Sequence, residues 1–334
     1  MQIRKPSYYD KFQCLAAQCP DSCCKDWQVA VDPDTAQCYQ NLSGDLGDRL
    51  RCVLIGRDDG SALMAIENGR CPMWRSDGLC RIQAELGHDA LCETCRDFPR
   101  LTHDYGDFTE LGLELSCPEA ARLILSSPPT ADLSQELPNA SQPDYDPLDM
   151  AVLLRTRSQA LALLECSDLP VPQALALLLL YGYYAQAFLD GDEDRTFSID
   201  SGLETAKSLA EPGSCQPIRE FFLSLEILTP TWQERLQASA SPGPWTEEYR
   251  LLARYFVQRY WLQAISDFDL ISRVKLGIVL CILIRDLGGD LLQTAQLCSK
   301  EIENNADNVD TLLDATYGDS AFTDCKLFGL LLEE

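Results

Sequence analysis

Phe12-Gln-Cys14-Leu-Ala-Ala-Gln-Cys19-Pro-Asp-Ser-Cys23-Cys24-Lys-Asp-Trp27 holds four thiols within eleven residues. Further along stand Cys71-x8-Cys80, then Cys92-x2-Cys95-Arg-Asp-Phe-Pro-Arg100, and finally Cys117-Pro118. Thiolates two to four residues apart can converge on one ion or cluster, because a loop of that size turns back on itself. Metal bonding then offsets an ordering entropy that a small apolar core cannot. Adjacent Cys23 and Cys24 do not easily share one tetrahedral ion, since their side chains tend to diverge. One of the two is expected at a second site or beside the first. Eleven of the sixteen cysteines fall in residues 1–117, so this stretch decides how the chain is read.

What surrounds the motif sets its chemistry. Basic residues open the chain at Arg4 and Lys5 with no apolar run behind them, which is not the pattern of a secretory signal. The expected compartment is the cytoplasm, where thiols stay reduced and a cysteine cluster holds metal or does redox chemistry. The excess of thiolates and the lack of neighbouring histidines favour an iron–sulfur cluster, with zinc as the alternative. The two histidines, His88 and His103, lack metal spacing from any cysteine pair and are expected at the surface or at helix ends. Cys166, Cys215, Cys281, Cys298 and Cys325 sit singly among apolar segments and read as inert buried thiols.

Charge and composition shift together near residue 120. Residues 1–117 carry 12 basic and 19 acidic side chains, and the remaining 217 carry 15 and 33. The total of −25 repels phosphate backbones and anionic headgroups, which argues against nucleic acid and membrane and for a basic, lysine-bearing partner. The organisation expected is a cysteine-rich metal domain over residues 1–125, a Pro/Ser-rich linker over 126–147 without regular structure, and an acidic helical domain over 148–334. The fold class is α+β, mostly α, with the small cysteine-rich domain packed on the helices.

In the first part, alternation over Trp27–Val31 predicts a short strand, Asp77-Gly78 a tight turn, Glu110–Cys117 a second strand, and Pro118 a helix start. Local structure is otherwise expected to be thin. In the second part the apolar period predicts helices over Leu148–Glu165, Ala174–Leu189 and Glu247–Ser266, and a buried central helix over Val274–Leu287 stopped by Gly288-Gly289. The run Ala174–Leu189 is too short for the roughly 20 residues of a bilayer span, so it reads as core.

The motif Phe12-x-Cys14 through Trp27, the block Cys71-Pro-Met-Trp-Arg-Ser-Asp-Gly-Leu-Cys80-Arg-Ile-Gln-Ala-Glu-Leu-Gly87, and Leu91-Cys-Glu-Thr-Cys95-Arg-Asp-Phe-Pro-Arg100 resemble the flagellin lysine-N-methylase family. The resemblance covers residues 8–118, about a third of the chain. It implies a bacterial enzyme that methylates lysine side chains of a protein, flagellin where the host is flagellated, from S-adenosylmethionine, with a [4Fe-4S] cluster. It carries over Cys14, Cys19, Cys23, Cys24, Cys71, Cys80, Cys95 and Cys117 as candidate ligands. Cys92 is left out, because the family pattern often has serine there. One such cluster takes at most four thiolates, so eight candidates mean two clusters, a cluster plus another metal, or some thiols that do not ligate.

Methylation needs a neutral amine, and at pH 7 only about one lysine in 2,500 is neutral. The site must desolvate the amine or offer a base, and aromatic walls suit a cationic sulfonium. Tyr8, Tyr9, Trp27 and Trp74 are the candidate walls for the methyl donor; packing around a small metal core is their other reading. The catalytic base is unassigned. Neither a Gly-rich dinucleotide fingerprint nor the C-x3-C-x2-C spacing of radical enzymes is present, and a neutral amine is nucleophilic enough for a polar transfer. The alternative function is an iron–sulfur or zinc module, for electron transfer or structure, without methyltransferase activity.

Overall fold

The computed structural model describes residues 2–126, 132–136, 143–192, 196–239 and 241–333. It is mostly helical with two small sheets, as an α+β, mostly α chain should be. β1 (Gln2–Pro6) leads into the loop that carries Cys14 to Cys24, whose regular structure is two 3-10 turns, Tyr9–Lys11 and Ala16–Gln18. β2 (Val29–Val31) buries Val29 and Val31 and exposes Ala30, the alternation expected, but begins two residues after Trp27.

Asp32 then caps α1 (Pro33–Asn41): its Oδ1 accepts the Thr35 N–H at 2.9 Å, and Pro33 occupies the first turn, where no donor is needed. α2 (Gly44–Val53) follows, and β3 (Leu54–Gly56) pairs antiparallel with β4 (Ala62–Met64), whose other edge takes β2. These two helices correct the expectation of thin local structure. α1 buries only Ala36 and Tyr39, too few for an apolar period, so only its cap was visible in the sequence. At Asp77-Gly78, with Gly78 at φ +80°, the chain turns as expected and sets Trp74 against Cys80. α3 (Arg81–Leu86) and α4 (Glu93–Asp97) complete a unit whose own core contains Val31, Leu50, Met64, Met73 and Ile82 together with Cys71 and Cys92.

β5 (Arg100–Asp104) and β6 (Phe108–Leu113) form a hairpin around Gly106, φ +82°, whose N–H is taken by Asp104 Oδ1 at 2.9 Å. β6 ends short of Cys117 because Cys117 N turns back to Glu114 O at 3.3 Å, which lifts the chain out of the sheet and into α5 (Pro118–Ser126). β1 lies parallel to β6 with Ile3 opposite Thr109. On its other side the backbone of β7 (Asp132–Glu136) pairs antiparallel, giving the order β5-β6-β1-β7. A strand therefore runs within the segment read as unstructured linker, since these five residues contain no proline; residues 127–131 and 137–142 lie outside the described residues.

Among the described helices, α6 (Pro147–Glu165) and α7 (Val171–Leu189) fit the expected spans, α7 starting earlier because Pro172 is tolerated in its first turn. α8 (Ile199–Leu209), α9 (Gln216–Ser224) and α10 (Pro230–Gln237) add three shorter helices to those expected. α11 (Glu248–Tyr260) passes into a 3-10 turn, Trp261–Ile265, before the expected end at Ser266. α12 (Leu270–Leu287) is buried nearly all round and stops at Gly288, φ +62°. α13 (Leu291–Ile302), α14 (Ala306–Gly318) and α15 (Asp324–Leu332) close the bundle. One large core joins these helices to Tyr8, Phe12, Phe108, Leu113, Leu115 and Cys117. None of the described helices is long and apolar enough to cross a membrane.

Candidate metal centre

The loop of the four clustered cysteines is held from both sides. Cys71 N–H donates to Cys24 O at 2.7 Å and Asp26 N–H to Gly69 O at 3.0 Å, which ties it to the second cysteine block. Asp26 adopts φ +72°, a left-handed turn that aspartate accepts more readily than most residues. From the other side α13 reaches in. Lys300, 4% exposed, places Nζ 2.9 Å from Asp26 and 3.2 Å from Asp21. Gln296 donates to Asp21 Oδ2 at 3.1 Å and to Ser116 O at 2.6 Å, beside Cys117. Asp32 adds a further tie: while Oδ1 caps α1, Oδ2 accepts the Glu93 N–H of the Cys92–Cys95 turn at 3.0 Å.

The thiols act on one another across these loops. Hydrogen bonding links Cys23, which is exposed, to its neighbour Cys24, which is half-buried. That bond lowers Cys23 to about 7 against its burial, and Lys300 adds to the effect. Cys24 is pushed up by the same bond, by burial, and by the charges of Cys23, Cys71 and Cys80. Cys92 and Cys95 form a second bonded pair: the bond lowers Cys92 and raises Cys95, on which Cys24 and Cys23 also act. Burial, then Cys80, Cys92 and Cys23, push Cys71 up to about 11. Cys80 is raised by burial and by Cys23 and Cys92. A second set adjoins Cys23: Cys117 is pushed up to about 12 by burial and by Cys19 and Cys23, while Cys19 is raised by burial and by Cys14 and Cys23.

All eight sequence-selected cysteines thus fall in one electrostatic neighbourhood, and Cys92, set aside from sequence, belongs in it. Its C-x2-C spacing was the available signal. Among the described residues no three His, Cys, Asp or Glu side chains close on a common metal position; the thiols stand as bonded pairs and near neighbours. The donor chemistry nevertheless fits a soft, cationic centre: neighbouring sulfur groups, Cys71, Cys92 and Cys117 buried and the others half-buried or exposed, would lose their mutual repulsion as thiolates when a cation joins them. Cys215, Cys281 and Cys298 are buried in the helical core as expected of inert thiols, while Cys166 and Cys325 are half-buried. His88 is exposed, and His103 is a half-buried residue of β5, away from any helix end.

The four candidate aromatic walls separate into two places. Trp27 stacks at a tilt on Phe98, 6.1 Å between centroids, and donates to Cys23 O at 3.0 Å. Trp74 lies under the Arg70 guanidinium at 4.3 Å with its buried indole N–H unpartnered. Both therefore adjoin the cysteine loops. Tyr8 is buried in the large core and Tyr9 beside it packs against that core; among the described residues no ring contact joins them to either tryptophan.

Fold and site together define a helical protein with an all-thiol cluster of donors fastened to its main core. Two curated proteins named Lysine-N-methylase, from Salmonella typhimurium and Salmonella choleraesuis, are each 30% identical to the chain over 198 residues, 57% of it and 49% of themselves. The Flagellar biosynthetic protein FliU of Salmonella muenchen is 32% identical over 141 residues, 40% of the chain and 83% of that protein. The chain belongs to the flagellin lysine-N-methylase family. It spans about half the length of the two lysine-N-methylases it matches. No family model and no solved structure matches it.

Proposed function

We propose that the protein is an S-adenosylmethionine-dependent lysine N-methyltransferase acting on a protein substrate, of the flagellin type, with a [4Fe-4S] cluster at the thiol group. The observation that carries this reading is the gathering of Cys19, Cys23, Cys24, Cys71, Cys80, Cys92, Cys95 and Cys117 into one set of thiols that act on one another, with Cys14 acting on Cys19, in a chain of this family. Four of the six thiols Cys23, Cys24, Cys71, Cys80, Cys92 and Cys95 would hold the cluster, and Cys14, Cys19 and Cys117 would flank it or form a second site. The bound cluster supplies structural order and a Lewis-acidic iron. The chain's own part is to exclude water around the lysine amine, so that it loses its proton, and to present aromatic faces to the sulfonium. A formal charge of −25 favours approach of a lysine-bearing partner, and reduced thiols suit a cytoplasmic setting.

The test is iron, zinc and acid-labile sulfide per chain on protein purified without oxygen, followed by transfer of a labelled methyl group to flagellin. About four iron and four sulfide with label on flagellin lysines is the expected result. Zinc without sulfide would remove the cluster, and iron–sulfur protein that transfers no methyl group would remove the enzyme. Accumulation of a deoxyadenosyl product would overturn the polar transfer.

A further inference from the structure

Between the first sheet and the helices lies a cavity of about 170 Å³, walled by β1, β5 and β6 on one side and by α6 and α11 on the other. Leucines from both layers and the Tyr8 ring make its apolar surface. Its charged lining is Arg4, Lys5, Glu110, Arg157 and Arg259, four cations to one carboxylate in a chain whose acids outnumber its bases 52 to 27, with His103, Ser158 and Gln258 as neutral polar neighbours. Glu110 is already engaged, accepting both arms of Arg157 at 2.7 and 2.6 Å. Lys5 is paired with Asp10 at 2.7 Å. Arg259 is held from behind, its Nε 2.8 Å from Glu303, yet its buried Nη1 has no hydrogen-bond partner. Nor has the buried Nε2 of His103, and both residues line the same space.

A buried polar group left without a partner costs about 1–3 kcal/mol, and here two such groups belong to residues that line one cavity. Burial and the Arg259 charge hold His103 neutral, which leaves its ring free to donate one N–H without adding a charge. The excess of cations in the lining favours a carboxylate. Size narrows the ligand further: a cavity of about 150 Å³ holds benzene, so this one takes a group of amino-acid size and not a nucleoside as well.

We propose that this cavity binds the carboxylate of an amino-acid-sized group, with Arg259 Nη1 and His103 Nε2 donating to its oxygens and the leucines covering its apolar stem. The free lone pairs of Glu110 accept from an α-ammonium beside it. Which molecule carries that group rests on the methyl-transfer reading: there it is the methionyl end of the donor, its nucleoside lying outside the cavity. A free amino acid has the same chemistry.

Calorimetric titration of the full chain distinguishes the two, using S-adenosylhomocysteine, L-methionine and 5′-methylthioadenosine, which lacks the amino-acid group. The variants are Arg259→Lys, which keeps a charge against Glu303, and His103→Phe on the sheet, each checked by its melting curve. S-adenosylhomocysteine weakened at least tenfold by His103→Phe, with 5′-methylthioadenosine unchanged, supports the cavity and the donor together. L-methionine binding that is lost in the variants, with no binding of S-adenosylhomocysteine, keeps the cavity and removes the donor reading. S-adenosylhomocysteine binding equally to wild type and both variants overturns the cavity and leaves methyl transfer standing. No binding of either amino-acid ligand to the wild type overturns the cavity outright.

Discussion

Lys300 is a buried cation whose partners belong to another part of the chain, Asp21 and Asp26 on the cysteine loop. Replacing it by methionine leaves Asp21 and Asp26 with Lys25 as their remaining counter-charge, at 2.6 and 3.9 Å, so the loss is expected to stay below the roughly 3 kcal/mol of a fully broken buried pair. Lys300→Met is therefore expected to lower the urea midpoint at unchanged slope, and Lys300→Arg to recover part of the loss; equal stability of Lys300→Met and wild type would show that the loop holds without the clamp. Glu114 gives a pH signature. Burial, helped by Glu303 and opposed by Arg259, raises it from 4.5 to about 7. The native state keeps a proton that the unfolded state has lost, so stability is full below pH 4.5 and falls as pH rises to about 7. Glu114→Gln should flatten that fall, by about 3 kcal/mol across the window, in denaturation curves at pH 4, 5.5 and 7.5. Neither residue was legible in the sequence, because a lone lysine or glutamate among many acids has no pattern to mark it. The cysteines were legible because their spacing is short.

At the scale of elements, α12 was found by its apolarity, yet what it packs on was not. Gly277 faces α11, where a Cβ would meet Phe256 Cβ at 2.9 Å. An interior helical glycine changed to alanine ordinarily gains up to about 1 kcal/mol. Here the sign reverses: Gly277→Val should lose about 2 kcal/mol or more, because the close approach of two helices has no slack. Thermal melts of Gly277→Ala and Gly277→Val check this; both are expected below wild type, valine the lower, and a stabilised variant would disprove the close contact. α1 and β7 went unread for different reasons. α1 buries two residues, and β7 is recognised only through its backbone pairing with β1, which no local pattern announces.

At the scale of the molecule, cysteines divide by core. Cys281 and Cys298 are 0% and 1% exposed within the helices, and burial pushes both thiols well up, so they present no thiolate. Cys38 and Cys52 sit exposed on α1 and α2. Under native conditions iodoacetamide should label Cys38 and Cys52, and reach Cys281 and Cys298 only in denaturant, read by peptide mass spectrometry. Native labelling of Cys281 would mean that the helical core opens locally. The small core around Leu50 and Met73 and the large one around α12 are separate, and the cysteine loop lies where they meet.

The sequence by itself determined the helical class, the long helices and the thiol clusters, since period and spacing are local properties of a chain. Tertiary structure alone decided that Cys92 joins the other thiols, that α13 reaches 274 residues back in sequence to Asp26, and that His103 and Arg259 face one cavity. These depend on which distant segments share a surface, and that is set by burial of whole faces rather than by any neighbouring residue.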